Sequence, residues 1–189
     1  MSLIISDKGG SNSNSYVSLE EAKQYFSVRL NSREWDKAED IQKEKAIIMA
    51  TSSIDNLHFS GRKWKEGSVG SDDYQALEWP RYPDYNDPYL LGISHLMSST
   101  KESREWVDKD NIPVIPKYLK DAVCEQAYFL LRAVRGLDKR EHLKAQGLSS
   151  ISYPDINEVF DNNLPIAPAA LRALNKLNCL SSSLRIVRG

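Results

Sequence analysis

The chain has 189 residues, 25 Lys and Arg against 26 Asp and Glu for a net charge of -1, and 41% apolar residues. Such balance excludes a strongly basic nucleic-acid coat or an acidic mimic as a description of the whole chain, and one domain of this length buries roughly 70% of its unfolded surface without staples. Cys124 and Cys179 are the only cysteines, which argues against a disulfide framework. No charged segment followed by an apolar one opens the chain, and no apolar run approaches the roughly 20 residues that span a bilayer. The sequence therefore reads as a protein made and kept soluble in a reducing cytoplasm. Charge is nonetheless polarised: acids outnumber bases from Glu66 to Asp110, whereas after Pro165 the only charged side chains are Arg172, Lys176, Arg185 and Arg188.

Residues 1–15 pass from Leu3-Ile4-Ile5 into a run of Gly, Ser and Asn, too polar to build a core alone, and read as a flexible N-terminal arm. Ser18 followed by Glu21 is a capping-box pattern, and Ala22, Tyr25, Phe26, Arg29 and Leu30 share a stripe, so a short helix is expected over 18–30. Asn31 to Asp36 breaks the pattern. A second helix is expected over 38–57, with Ile47, Ala50, Ile54 and Leu57 at helical spacing and Glu39, Asp40, Lys43, Glu44 and Lys45 on a solvated face.

Arg62, Lys63 and Lys65 surround Trp64 ahead of Gly67 and Gly70, a combination that holds single-stranded nucleic acid by stacking and phosphate attraction or simply forms a surface loop with one anchoring aromatic. Gln75 to Arg81 then divides the chain. Pro80 biases Trp79 toward an extended backbone, leaving Trp79 as a large apolar anchor between the second and the principal helix and Arg81 as a fork for a carboxylate or backbone carbonyls. Trp79, Pro80 and Arg81 are thus the expected structural anchor.

Residues 82–111 form a long acidic loop in which Pro83 and Pro88 oppose a continuous helix. Pro116 starts and Gly136 ends the principal helix, whose wide apolar face runs through Leu119, Ala122, Val123, Gln126, Ala127, Leu130, Leu131 and Val134. Tyr128, Phe129 and Arg132 lie partly off that stripe and mark a second burying surface, such as a neighbouring subunit. Residues 138–160 read as a hairpin, and a last helix starts at Pro165 or Pro168 and runs through Leu171, Leu174 and Leu177. The basic tail, 179–189, alternates through Arg185, Ile186, Val187 and Arg188 and suits addition to a partner's sheet edge. One helical domain, 16–178, thus lies between an arm and a tail.

His58, His95 and His142 stand far apart without metal-ligand spacing, and neither a phosphate loop, a dinucleotide fingerprint nor a nucleophile elbow occurs. Asp72-Asp73 and Asp108-Lys109-Asp110 sit in turn-rich contexts where carboxylates cap backbone. No catalytic residue, metal ligand or cofactor site is expected, and an enzyme is the least supported class.

Asn14-Ser15-Tyr16-Val17-Ser18 with Glu21-Ala22 and Tyr25-Phe26, Ala50-Thr51 with Ile54-Asp55, Gln75-Ala76-Leu77-Glu78-Trp79-Pro80-Arg81, and Ile115-Pro116 with Ala122 and Ala127 follow one another across most of the chain. In order and spacing they resemble the head–tail connector (adaptor) proteins of tailed bacteriophages, a group also labelled DnaT-like single-stranded-DNA-binding proteins. The Gln-x-Leu-x-Trp-Pro-Arg stretch is the most specific element, and the length of 82–111 is the main departure. The resemblance implies a mainly α fold, a small helical bundle around one long central helix with a short β-hairpin and extended termini. It further implies a virion structural protein at the head–tail junction, made in the bacterial host cytoplasm, that forms a twelvefold ring under the portal protein. Such a ring meets the next tail component and lets DNA pass without sequence specificity, and it involves neither membrane nor cofactor. The alternative the sequence leaves open is a single-stranded-DNA-binding module using Arg62, Lys63, Trp64 and Lys65.

Overall fold

Helix starts carry the clearest sequence signals. Ser18 Oγ accepts the Glu21 N–H at 3.2 Å while the Glu21 carboxylate accepts the Ser18 N–H at 3.0 Å, and this reciprocal capping box opens α1 (Leu19–Ser27). The structure, a computed structural model, describes residues 2–82, 106–108, 112–134, 150–153, 156–159 and 166–177. Beyond α1, Asn31 takes a positive φ of 60°, which an Asn tolerates, and a one-turn α2 (Arg33–Asp36) follows where only a break was expected. Trp35 explains that turn: it is buried and stacks on Phe26 with centroids 4.1 Å apart.

Helix α3 (Asp40–Asp55) starts where the Gln42 side chain accepts the Glu39 N–H at 3.2 Å. The principal helix is α4 (Lys117–Val134), whose first turn hangs on the Pro116 carbonyl through Leu119 N–H at 3.1 Å and Lys120 N–H at 3.2 Å. A last helix, α5 (Pro168–Leu177), has Pro at its first position, where the missing N–H costs nothing. Two small antiparallel ribbons complete the fold. In one, β1 (Arg62–Lys63) pairs with β2 (Arg81–Tyr82), Lys63 opposite Arg81; in the other, β3 (Ser150–Tyr153) pairs with β4 (Ile156–Val159) as a hairpin, within the expected 138–160 region.

Helix α4 lies against both α3 and α5. Its Leu119, Ala122, Val123 and Ala127 are fully buried, facing Ile47, Ala50 and Ile54 of α3 and Ala170 and Leu174 of α5 within one core. The alanines matter as much as the larger residues, because a helix pair with small side chains at the crossing approaches closely and excludes voids. The fold is therefore mainly α, with a small helical bundle around one long helix and a short hairpin.

Three expectations change. Residues 2–15 are no free arm: the Asn14 side chain accepts the Ile5 N–H at 2.8 Å and donates to the Leu3 carbonyl at 2.9 Å, and the Ala76 N–H reaches the Gly10 carbonyl at 3.2 Å. Polar composition here serves backbone pairing instead of flexibility. Glu44 is not on a solvated face but buried, accepting from Ser2 Oγ at 2.7 Å and the Leu3 N–H at 3.1 Å, so it latches the N-terminal segment to α3. Leu30 does not join the α1 stripe: the helix stops at Ser27, and Val28 and Leu30 stand 86% and 88% exposed.

Candidate functional site

Three places have the chemistry the sequence singled out. At Trp79-Pro80-Arg81 the peptide between Trp79 and Pro80 is cis and Trp79 is buried, its ring edge-to-face with Phe59 at 5.7 Å and Trp106 at 4.7 Å. Its ring partners thus come from flanking loops, Trp106 lying in the stretch read as an acidic loop. The backbone is pinned from below. Asp55, at the end of α3, accepts the Glu78 N–H at 2.9 Å and the Tyr16 hydroxyl, and that hydroxyl oxygen accepts the Trp79 N–H at 3.2 Å. Burial raises the Asp55 carboxyl above its ordinary range despite these donors, and burial together with Asp55 pushes the Tyr16 hydroxyl well up.

Gln75, also buried, organises the same loop: its Oε1 accepts the Lys65 N–H at 3.1 Å, and its Nε2 donates to the carbonyls of Leu77 at 2.9 Å and Pro80 at 3.1 Å. Arg81 uses every arm of its fork. It donates to the Glu78 carboxylate at 2.5 Å, to the Ser60 carbonyl at 3.0 Å and to the Gly61 carbonyl at 2.5 Å. The Arg81 guanidinium thereby ties β2 to the end of the 56–61 connection, and its charge is answered inside the molecule. The indole N–H of Trp79 has no hydrogen-bond partner among the described residues.

The basic loop is more open. Trp64 is half-buried, and one face lies against Gly9, where a Cβ would stand 2.8 Å from the indole carbons. Lys8 and Lys65 each bring an ammonium 5.4 Å from its ring centroid, and Arg62 lies over Tyr82 at 5.1 Å. Lys63 is engaged elsewhere, 3.0 Å from the Glu78 carboxylate. Of the four residues named from sequence, Arg62, Trp64 and Lys65 remain near one surface, and Lys8 joins them; its proximity was unreadable because it depends on the folded arm.

At the far end of α4, Tyr128 is buried against Phe26, and its hydroxyl donates to the Asn31 carbonyl and lies 2.7 Å from the Glu34 carboxylate. Phe129 packs on the core from a half-buried position, whereas Arg132 is exposed. Behind them Arg29 makes a forked contact with Glu125 at 2.7 and 2.8 Å, and Tyr25 adds a third bond at 2.7 Å. Burial disfavours the Glu125 anion, but Arg29 and Tyr25 outweigh it and hold the carboxyl below its ordinary range. Arg29, Leu30, Asn31, Glu34, Tyr128 and Arg132 line an open cleft of 500 Å³. The expected contacts Arg185, Ile186, Val187 and Arg188, and the helix stop at Gly136, lie outside the described residues.

Among the described residues no group of three or more His, Cys, Asp or Glu is placed to hold a metal ion, and no helix is long and apolar enough to cross a membrane. A second open cleft, of 510 Å³, lies between the N-terminal segment and the start of α4, where Lys120 closes on Glu21 at 2.5 Å. Sequence reasoning missed Glu125 and gave no polar role to Tyr16, Asp55 or Gln75; the partners of Glu125, Tyr16, Glu44 and Asp55 are remote in the chain, whereas those of Gln75 lie within ten residues. Compared with known proteins, residues 1–92 match a family described as "Putative DnaT-like ssDNA binding protein". That match spans the N-terminal segment, α1 to α3, the Trp64 loop and the Trp79 anchor. No curated protein and no solved structure matches the chain.

Proposed function

We propose that the chain is a head–tail connector (adaptor) of a tailed bacteriophage, a helical subunit that forms a ring under the portal protein and extends the DNA channel toward the tail. The supporting observation is the contrast between a polar interior in which Arg81, Gln75 and Glu125 are all partnered and an edge where Val28, Leu30 and Arg132 lie bare beside a cleft. Partnered polar groups hold shape; bare apolar groups beside a cation serve association with protein. The order and spacing of the connector-like motifs add to this. The role is structural, without catalysis or cofactor, in the virion at the head–tail junction. Its partners are portal, the next tail component, other copies of itself, twelve to the ring, and DNA passing without sequence specificity. Purified chain mixed with purified portal, followed by light scattering and electron microscopy, should give a ring-capped portal; a chain that stays monomeric and never binds portal overturns the proposal.

A second reading, a single-stranded-DNA-binding module, is favoured by the family description matched over residues 1–92 and by Trp64 with Lys8 and Lys65 at its ring. Its test is a salt-dependent titration with an oligonucleotide: binding no tighter than micromolar at moderate salt, or unaffected by Trp64→Ala, rejects it.

A further inference from the structure

The N-terminal segment folds so that its tip meets Trp64. Asn14 closes the base of the loop: its side chain accepts the Ile5 N–H at 2.8 Å and donates to the Leu3 carbonyl at 2.9 Å, while its own N–H donates to the Ile5 carbonyl at 2.9 Å. At the tip the Gly10 N–H donates to the Asp7 carbonyl at 3.0 Å, a four-residue turn with Lys8 and Gly9 at its centre. Gly9 takes a φ of 64°, which glycine adopts without strain.

The fit to the ring is close. A Cβ at Gly9 would stand 2.8 Å from two indole carbons of Trp64 and 3.9 Å from Gln75 Oε1. Residues 75 and 76 join the two sides: Gln75 Oε1 accepts the Lys65 N–H at 3.1 Å, and the Ala76 N–H donates to the Gly10 carbonyl at 3.2 Å. One surface thus arises from two stretches distant in sequence, with the ammoniums of Lys8 and Lys65 each 5.4 Å from the Trp64 ring centroid.

Lys63 stands apart from this surface. Its ammonium is 3.0 Å from the Glu78 carboxylate, which Arg81 also binds, whereas Lys8 is exposed and forms no ion pair among the described residues. Acids are close as well. Asp7 precedes Lys8 in the turn, and Glu66, Asp72 and Asp73 are exposed on the loop that follows Lys65. They limit the net attraction for a polyanion, so what Lys8 supplies is a cation at a fixed place beside an aromatic ring, where a phosphate and its base meet the protein together.

We infer that the N-terminal segment is one wall of a single-strand site, with Lys8 the phosphate contact in place of Lys63, and Gly9 and Asn14 the residues that position it. The inference rests on the single-stranded-DNA reading above and adds to it a part of the chain that carries no aromatic for stacking. Its ligand is the sugar-phosphate backbone at the nucleotide stacked on Trp64.

The test is a titration of fluorescein-labelled oligothymidine with the full chain across a salt series. With Lys8, Arg62 and Lys65 on phosphates the log–log slope is about -2, and K8A should reduce it to about -1.4. K63A, an equal loss of charge, should leave the slope unchanged, and K8R should retain it. G9A and N14A keep every charge yet should reduce the slope as K8A does, and neither should reduce it further in the K8A background. A merely structural role would weaken binding equally in both backgrounds, and that result overturns the positioning role. K8A changes an exposed side chain, so it tests the contact even if G9A or N14A fails to fold. A slope that K8A leaves unchanged, or that K63A reduces as much, overturns the inference; if W64A still weakens binding, the single-strand reading stands without it. Binding no tighter than micromolar at moderate salt removes both.

Discussion

Trp64 and Trp79 flank one two-stranded ribbon, with the Trp64 N–H bonded to the Pro80 carbonyl at 3.0 Å, yet they occupy opposite physical situations. Trp79 is sealed by Phe59 and Trp106, and the guanidinium beside it is consumed by Glu78 and backbone carbonyls. Trp64 keeps part of its surface, and the ammoniums of Lys8 and Lys65 near its ring make no ion pair among the described residues. An aromatic beside cations in sequence therefore has two meanings, and what separates them is whether carbonyls and carboxylates from elsewhere in the chain have reached the cations first.

The sharpest way to break this comparison is at the closed end. Trp79→Ala should cost roughly 3 kcal/mol or more, as for other core aromatics, measured by denaturant titration; a loss below about 1 kcal/mol would make Trp79 a surface feature like Trp64. Trp79→Phe should cost much less, because it keeps the apolar ring and removes an indole N–H that has no partner among the described residues. Next comes Arg81. Arg81→Met removes the donor to the carbonyls of Ser60 and Gly61 and should cost about 2 to 3 kcal/mol. Arg81→Lys should recover less than half of that, since an ammonium cannot span the forked geometry; full recovery would show that charge alone matters.

A smaller effect separates Glu125 on α4 from Asp55 at the end of α3 by pH. Glu125 is held below its ordinary 4.5, first against the burial that opposes it, by Arg29 and Tyr25. A depressed carboxyl stabilises the fold above the unfolded value and loses that stabilisation as pH falls through the folded one, so stability should drop on acidification below about 4.5. Asp55, raised by burial, has the opposite sign: its native state holds the proton more tightly, so acidification from the folded value toward the ordinary 3.8 favours the fold. Glu125→Gln should cost about 1.5 kcal/mol at neutral pH through its lost charge-assisted bonds and flatten the acid limb. Asp55→Asn should leave that limb as steep or steeper. Unfolding free energies across pH 3 to 6 check both, and identical curves for the two variants would sink the assignment.

Much of the helical layout was legible because it is local: Ser18 and Glu21 three residues apart announce α1, Pro116 announces α4, and the alanine-rich face of α4 announces the core. In the Trp79-Pro80-Arg81 stretch the local signals are a Pro that removes the helical option and an Arg that offers a fork, whereas the ring partners of Trp79, Phe59 and Trp106, carry no local signal. What stayed hidden depends on distant partners. Glu44 looked solvated because nothing local marks Ser2 and Leu3 as its acceptors' donors. Leu30 looked buried because the stripe continues past Ser27, where the chain instead turns at Asn31. Trp106 sat in a segment whose composition gave no period, and it seals Trp79 all the same.

The smallest expected effect is at the open end, and it bears most directly on function. Trp64→Ala should cost about 1 kcal/mol or less in stability, since only part of the ring is covered and no buried polar group is stranded. If the loop binds single-stranded DNA, the same substitution should weaken binding by about 1 to 3 kcal/mol, the worth of one stacked base. Lys63 being paired with Glu78, the exposed or ring-bound cations nearby are Lys8, Arg62 and Lys65. Three phosphate contacts give a log–log salt slope of only about -2, a small footprint for a DNA-binding module. A steeper slope would require cations outside this loop and would shift the balance toward the second reading. An affinity indifferent to Trp64→Ala would leave the half-buried indole as packing for Gly9 and the N-terminal segment and would count against the second reading.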